Sequence, residues 1–271
     1  MTTQGAYRGT TSLLLWGQGR LLAVNLATSK ERLLDIPWAT AVVLAAIEHS
    51  TGEIEAVVAV RDGARIVTFG TDAHAQNIVR LPARYQFEAA TYAGGRWWLN
   101  SPDSLGNLWM SEWNGERLLD RGTIDRKIVL NPLSPAMAHL SPHGGDVLVT
   151  MLHHPFATFL IDSAAQSTPR RLADLDSIAL AQLTESSVAA NWISLRAVSA
   201  GEGIVQVLAD LNSDRRVLVT RDSSGKRIRA KLLTAPLGFL TSVDAHRTVL
   251  ALRATTAPEI VEYAVTWRAP H

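Results

Sequence analysis

Cysteine is absent from the 271 residues, which excludes disulfides, thiolate metal sites and a cysteine nucleophile, and fits a reducing compartment. No sign of charge dominates. The 26 Lys and Arg stand against 25 Asp and Glu and are spread along the chain, so a nucleic-acid or anionic-membrane footprint is not indicated. Long apolar runs are lacking too: Trp38–Ile47 is about half of the roughly 20 residues that a spanning helix needs, so no membrane association is expected. The beginning of the sequence offers only the run Ser12–Trp16 before Gly17, too short for a signal-peptide core, and the expectation is a cytoplasmic protein. No Pro/Gly/Ser-rich linker divides the chain, so residues 1–271 read as a single domain. Long amphipathic helices are missing; Leu175–Leu183 has some helical spacing, but a loop or a strand start explains it as well.

What the sequence has is a repeated strand grammar. The stretch Phe87–Gly122 carries four short β-type segments, Glu88–Tyr92, Arg96–Asn100, Asn107–Trp113 and Arg117–Asp120, broken at Gly94-Gly95, Ser101–Gly106 and Asn114-Gly115. Asn-Gly is the two-residue turn whose positive φ angles match strand twist, so a hairpin is expected at Asn114-Gly115. Sets of four segments also follow from Ala41, Met137 and Ala189, at a spacing of roughly 45 to 50 residues, the period of four-stranded propeller blades. The N-terminal unit (Ser12–Trp16, Arg20–Ala27, Glu31–Ile36) reads as short of its first strand and the C-terminal unit (Phe239–Asp244, Thr248–Ala254, Glu259–Val265) as short of its last. The fold class is therefore all-β, a propeller of antiparallel blades. Six blades with two imperfect ends are preferred over five with the termini sharing one.

Two phrases carry a family resemblance. His139–Asp162 (HLSPHGGDVLVTMLHHPFATFLID) resembles the L-S-P-D-G blade phrase of TolB-like propellers and of the propeller domains of prolyl-oligopeptidase-type and acylaminoacyl-peptidase-type enzymes, with His143 in place of the Asp and Gly145 extra. Ala254–Val265 (ATTAPEIVEYAV) is similar to the phrase that closes such propellers before the hydrolase domain. The resemblance implies an architecture and no catalytic residue, because the Ser, Asp and His of those enzymes lie on a hydrolase domain; no G-x-S-x-G elbow occurs here. It also implies a separate partner on the channel-mouth face, which should then carry a large apolar patch.

Chemistry-bearing residues are few. His153-His154 are adjacent on a strand and point to opposite faces, and His139 and His143 are not on a helix, so no metal site is expected. No phosphate loop or dinucleotide fingerprint accompanies the arginine pairs Arg170-Arg171 and Arg215-Arg216 or the Arg227/Arg229 strand, so no cofactor is expected; these charges read as solvated faces and edges that block strand pairing. Glu88 stands at the start of an inner strand, next to the channel mouth where propeller ligands bind. The phrase F-E-A-A-T-Y…R-W-W is similar to the acidic phrase of five-bladed arabinanase-like glycosidases, but the N-terminal Asp-Pro of those enzymes is missing and glycosidase chemistry needs a second carboxylate. Of the eight Trp, Trp97 and Trp98 face opposite sides of their strand, and one of them is a candidate exposed platform for a sugar or peptide; Trp109 is expected to wedge between blades.

The candidate ligand-binding set is Glu88, Trp97, Trp98, Asp103 and His139. The expected function is a non-catalytic binding module, taking a peptide or small molecule at the channel mouth or a separate hydrolase as partner. The alternative is an enzyme using that mouth, a glycosidase or a lyase or cyclase on a small molecule. Converging carboxylates, or a His–carboxylate pair, at the mouth would favour the enzyme.

Overall fold

The computed structural model describes residues 5–17, 19–82, 86–104, 107–124, 138–152, 158–162, 169–172, 192–200, 203–213, 215–222, 227–233, 237–243, 248–253 and 259–264. All the described secondary structure is β, in six antiparallel sheets with strands in sequence order. Blade 1 holds β1 (Gly5–Arg8), β2 (Ser12–Gly17), β3 (Arg20–Asn25) and β4 (Glu31–Leu34). Blade 2 holds β5 (Val42–Glu48), β6 (Ile54–Val60), β7 (Gly63–Phe69) and β8 (Ala75–Arg80). Blade 3 holds β9 (Ala89–Ala93), β10 (Arg96–Pro102), β11 (Leu108–Trp113) and β12 (Leu118–Ile124). Blade 4 holds β13 (Ala138–His143), β14 (Asp146–Met151), β15 (Thr158–Ile161) and the two-residue β16 (Arg170–Arg171). Blade 5 holds β17 (Trp192–Ala200), β18 (Gly203–Asp210), β19 (Arg216–Asp222) and β20 (Arg227–Leu233). The sixth sheet has three described strands, β21 (Leu237–Val243), β22 (Thr248–Arg253) and β23 (Glu259–Ala264).

The first strands β1, β5, β9, β13, β17 and β21 each neighbour the next, and β21 neighbours β1. This closes the ring of a β-propeller, with five four-stranded blades and the three-stranded sheet between the fifth and the first. Each inner strand runs from one mouth of the axis to the other. The N-terminal blade does have its first strand: β1 is only four residues, GAYR, too short and too mixed to show a period. Among the described residues no helix is long and apolar enough to cross a membrane.

The turns follow the residues that make them. Gly94-Gly95 join Ala93 to its partner Arg96 as a two-residue turn with φ of 58° and 78°, the pair of left-handed conformations such a turn requires. Asn114-Gly115, expected to be another two-residue turn, instead begins a four-residue loop, because Trp113 pairs with Leu118. The Asn114 carboxamide accepts from the amides of Glu116 and Arg117, which stabilises the longer loop.

Blades pack face to face through apolar residues of their inner and middle strands. Leu14, Leu21, Val43 and Val58 fill the space between blades 1 and 2; Ala45, Val57, Trp97 and Leu99 that between blades 2 and 3; Trp98, Met110, Leu140 and Val149 that between blades 3 and 4. Trp97 and Trp98 thus do face opposite sides of β10. Both are buried, so the expectation of an exposed aromatic platform there is corrected: the adjacent rings fill two neighbouring wedges. Trp97 also donates its indole N–H to the Glu55 carboxylate of the preceding blade. Trp109 is not among the buried core side chains, and its indole donates to Asp120 on the same blade, 3.1 Å away.

Two buried carboxylates tie strands together, Glu48 across the first two blades and Glu112 within the third. Glu48, at the end of β5, accepts from the amide and hydroxyl of both Thr11 and Ser12 in the β1–β2 turn. Burial alone raises its pKa, but these four bonds outweigh it and hold the carboxyl below its ordinary value. Gly9 is required beside it, since a Cβ there would stand 2.1 Å from a Glu48 oxygen. Glu112, fully buried on β11, is paired with Arg96 at 2.7 Å and Arg121 at 2.6 Å. The outer strands carry charge, as expected of guarded edges: Arg170, Arg171, Arg229 and Lys231 are all exposed on β16 and β20.

Candidate functional site

Three consecutive inner strands, β5, β9 and β13, present their first residues to one mouth of the axis. A cavity of about 190 Å³ opens there, lined by Val42, Val43 and Leu44, by Glu88, Ala89 and Ala90, and by Ala138, His139 and Leu140, with Trp16, Leu152 and Arg196 completing the wall. A second space of about 50 Å³ lies between Tyr7, Tyr92, Ser141 and Ser199. Trp16, Ala90 and Arg196 line both, so the two are adjacent chambers with a common wall.

Small residues make the channel. Ala6, Ala45, Ala46, Ala89, Ala90 and Ala138 on the inner strands leave space where larger side chains would close it. The inner strands β5 and β17 also carry a bulge each, β5 between Val43 and Ala45 and β17 between Ser194 and Arg196. An extra residue resets which side chains face the axis, and bulges recur beside functional sites for that reason. Leu44, the extra residue of β5, lines the mouth, and Arg196 follows the bulge of β17.

Arg196 is the charge at the junction of the chambers. Its Nη2 donates to the Leu140 carbonyl at 3.0 Å and its Nε to the Ser141 hydroxyl at 3.3 Å, both across the blade boundary. Burial lowers its pKa to about 10, which still leaves it charged at neutral pH. Among the described residues it has no carboxylate partner. His139 lies in the same wall, and burial first, then the positive charge of Arg196, lower its pKa to about 3. At neutral pH its ring is uncharged. Glu88 stands at the rim, exposed, with its pKa raised by partial burial.

The second chamber is mostly apolar, with the phenols of Tyr7 and Tyr92 and the hydroxyls of Thr91, Ser141 and Ser199 set among its walls. Tyr7 is raised above its ordinary pKa by burial and then by Glu48 and Tyr92, and Tyr92 by burial and then by Glu55, so both are neutral hydrogen-bonding groups. His143 meets the Ser199 hydroxyl through Nδ1 at 3.0 Å, linking β13 to β17.

The structure thus brings Glu88 and His139 to one cavity and leaves the other expected residues elsewhere. Trp97 and Trp98 are buried between blades. Asp103 closes the β10–β11 loop, accepting from the Asn107 amide and carboxamide at 2.8 Å each. His153, His154, Asp125, Met137, Leu175–Leu183 and the start of the closing phrase, Ala254–Pro258, lie outside the described residues. Arg196 was not among the expected residues. Its signal in the sequence is a single cation inside the otherwise uncharged inner strand WISLRAVSA.

No family model matches this sequence, and no curated protein matches it. Solved structures do match the fold. A catalytically inactive virginiamycin B lyase from Staphylococcus aureus, determined with quinupristin, superposes with a TM-score of 0.61 at 13% identity, over 96% of this chain and 84% of that one. The β-propeller domain of Swd1 from Myceliophteria thermophila gives 0.63 at 13%, over 97% and 84%. A nidogen/laminin complex gives 0.57 at 9%, over 84% and 79%. At these identities the shared property is the propeller, an architecture that suits ligand or protein binding and fixes neither.

Proposed function

We propose that this chain is a non-catalytic binding propeller whose axial channel takes a small molecule or the end of a peptide. The observation that carries the reading is the mouth cavity, a concave, mostly apolar space with one cation, Arg196, on its wall and one carboxylate, Glu88, at its rim. At about 190 Å³ it is smaller than the usual range of roughly 300–1,000 Å³, which favours a compact ligand or a chain terminus. The expected apolar docking patch at this mouth has little support: among the described residues Val42 is the only exposed large apolar side chain lining the cavity. A protein partner, such as the hydrolase implied by the likeness to TolB-like and prolyl-oligopeptidase-type propellers, is therefore the weaker form of the reading.

An enzyme using the mouth is favoured by one observation, that Glu88 and His139 line the same cavity. The lyase similarity is consistent with it. Two facts weigh against it. A histidine with a pKa of about 3 is a poor base at neutral pH, far from the matched value that acid–base catalysis favours. Glu88 is the only carboxylate lining the cavity among the described residues, whereas glycoside hydrolysis uses two.

The test is a plug. Val42 is an exposed rim residue, so Val42→Trp can occlude the mouth without disturbing the core. Compounds from a metabolite and short-peptide library that raise the melting temperature of the wild-type protein should fail to do so in this variant. Hits that act equally on both would place binding elsewhere.

A further inference from the structure

We infer, resting on this reading of the channel, that the ligand is a small monocarboxylic acid with a compact apolar body, its carboxylate held by Arg196.

A guanidinium has five N–H donors. Two bonds from Arg196, to Leu140 and Ser141, are accounted for, and they anchor Nε and one hydrogen of Nη2. Three N–H groups therefore have no acceptor among the described residues, on a cation that borders both chambers. The side chain is partly shielded from water, and an incoming anion pairs with the donors that otherwise face the cavity.

The walls decide which anion. Around the guanidinium the mouth cavity is built of Val43, Leu44, Ala90, Ala138 and Leu140. A carboxylate has two oxygens, which the fork of one arginine can satisfy in parallel. A phosphate brings more oxygens and more charge, and a single arginine, with no second cation lining the cavity among the described residues, would leave part of that charge unpaired. Glu88 at the rim adds a negative charge that also selects against a dianion. The apolar wall then takes a short aliphatic body.

His139 reports on the site because it shares the wall with Arg196. In protein carrying 15N-labelled histidine, with the His139 signals assigned through His139→Gln, isovalerate is titrated at neutral pH beside its neutral isostere isovaleramide. The expected result is a saturable shift of the His139 ring signals with isovalerate and at least a tenfold weaker response to the amide, roughly the worth of one charge-assisted hydrogen bond. Arg196→Gln should abolish the preference, and inorganic phosphate should not displace isovalerate. Equal affinity for the amide, or a preference that survives in Arg196→Gln, overturns the carboxylate assignment and leaves a channel that binds neutral ligands. Displacement by phosphate at lower concentration overturns it in favour of a phosphoryl group. If Arg196→Gln does not fold, the acid–amide comparison on the wild-type protein decides. Silence toward both probes overturns the monocarboxylate assignment, while the binding channel stands or falls by the Val42→Trp comparison.

Discussion

Arg196 on the fifth inner strand donates to the carbonyl oxygen of Leu140 on the fourth, 3.0 Å away, so the channel's cation is also a tie between two blades. The bulge before Arg196 and the small residues opposite it bring the guanidinium to the boundary of two chambers. The position of this charge thus comes from the ring and is not a local property of the strand.

The same ring is locked by Glu48. Its carboxylate takes four hydrogen bonds from Thr11 and Ser12, so Glu48→Gln should cost roughly 2 kcal/mol in urea unfolding at neutral pH. Because the folded pKa lies below the ordinary 4.5, the stabilisation is present above that value and is lost as pH falls through the folded pKa. The difference between wild type and variant should shrink in acid. A constant difference from pH 7 down to acid unfolding would show that the bonds do not depend on the ionised carboxylate.

Tryptophan positions separate core from surface. Trp98→Ala empties a fully buried wedge and should cost about 3–5 kcal/mol, while Trp109→Ala should cost under about 1 kcal/mol. Paired thermal unfolding of the two variants checks the ranking, and comparable losses would contradict the packing described.

Glu112 divides its pairing unequally. Its partner Arg121 is largely buried, at 14% side-chain exposure, whereas Arg96 is 43% exposed. Removing Arg121 should therefore be the more damaging, by roughly 3 kcal/mol against about 1 kcal/mol or less for Arg96. Double-mutant cycles with Glu112→Gln measure the two couplings, and a stronger coupling to Arg96 would reverse the assignment.

His139 sets a pH signature. It is held neutral in the fold, with a pKa of about 3, while the unfolded chain takes up this proton below its ordinary 6.5. Its contribution to stability is therefore present above about pH 6.5 and declines as pH falls towards about 3. NMR of the ring nitrogens should show a neutral imidazole at pH 5. A protonated ring at that pH would mean that neither burial nor Arg196 acts on it.

Much of this architecture was legible in the sequence because turn chemistry is local. Gly94-Gly95 could only be a tight turn, and the position of Glu88 before an inner strand carried it to the mouth. Strand parity separated Trp97 from Trp98, but parity says nothing of which face meets another blade, so the buried wedge was assigned to Trp109. β1 escaped because four residues hold no period. Arg196 escaped because a lone cation in an uncharged strand gains meaning only once the ring places it on the axis, with its free donors turned to a cavity.

The most direct measurement of the central claim is a crystal structure of the protein soaked with isovalerate. The account predicts ligand density in the mouth cavity, with its carboxylate on Arg196 and its aliphatic end against Val43, Leu44 and Leu140. Density only on the outer strands, with Arg196 contacted by nothing but protein, would contradict it.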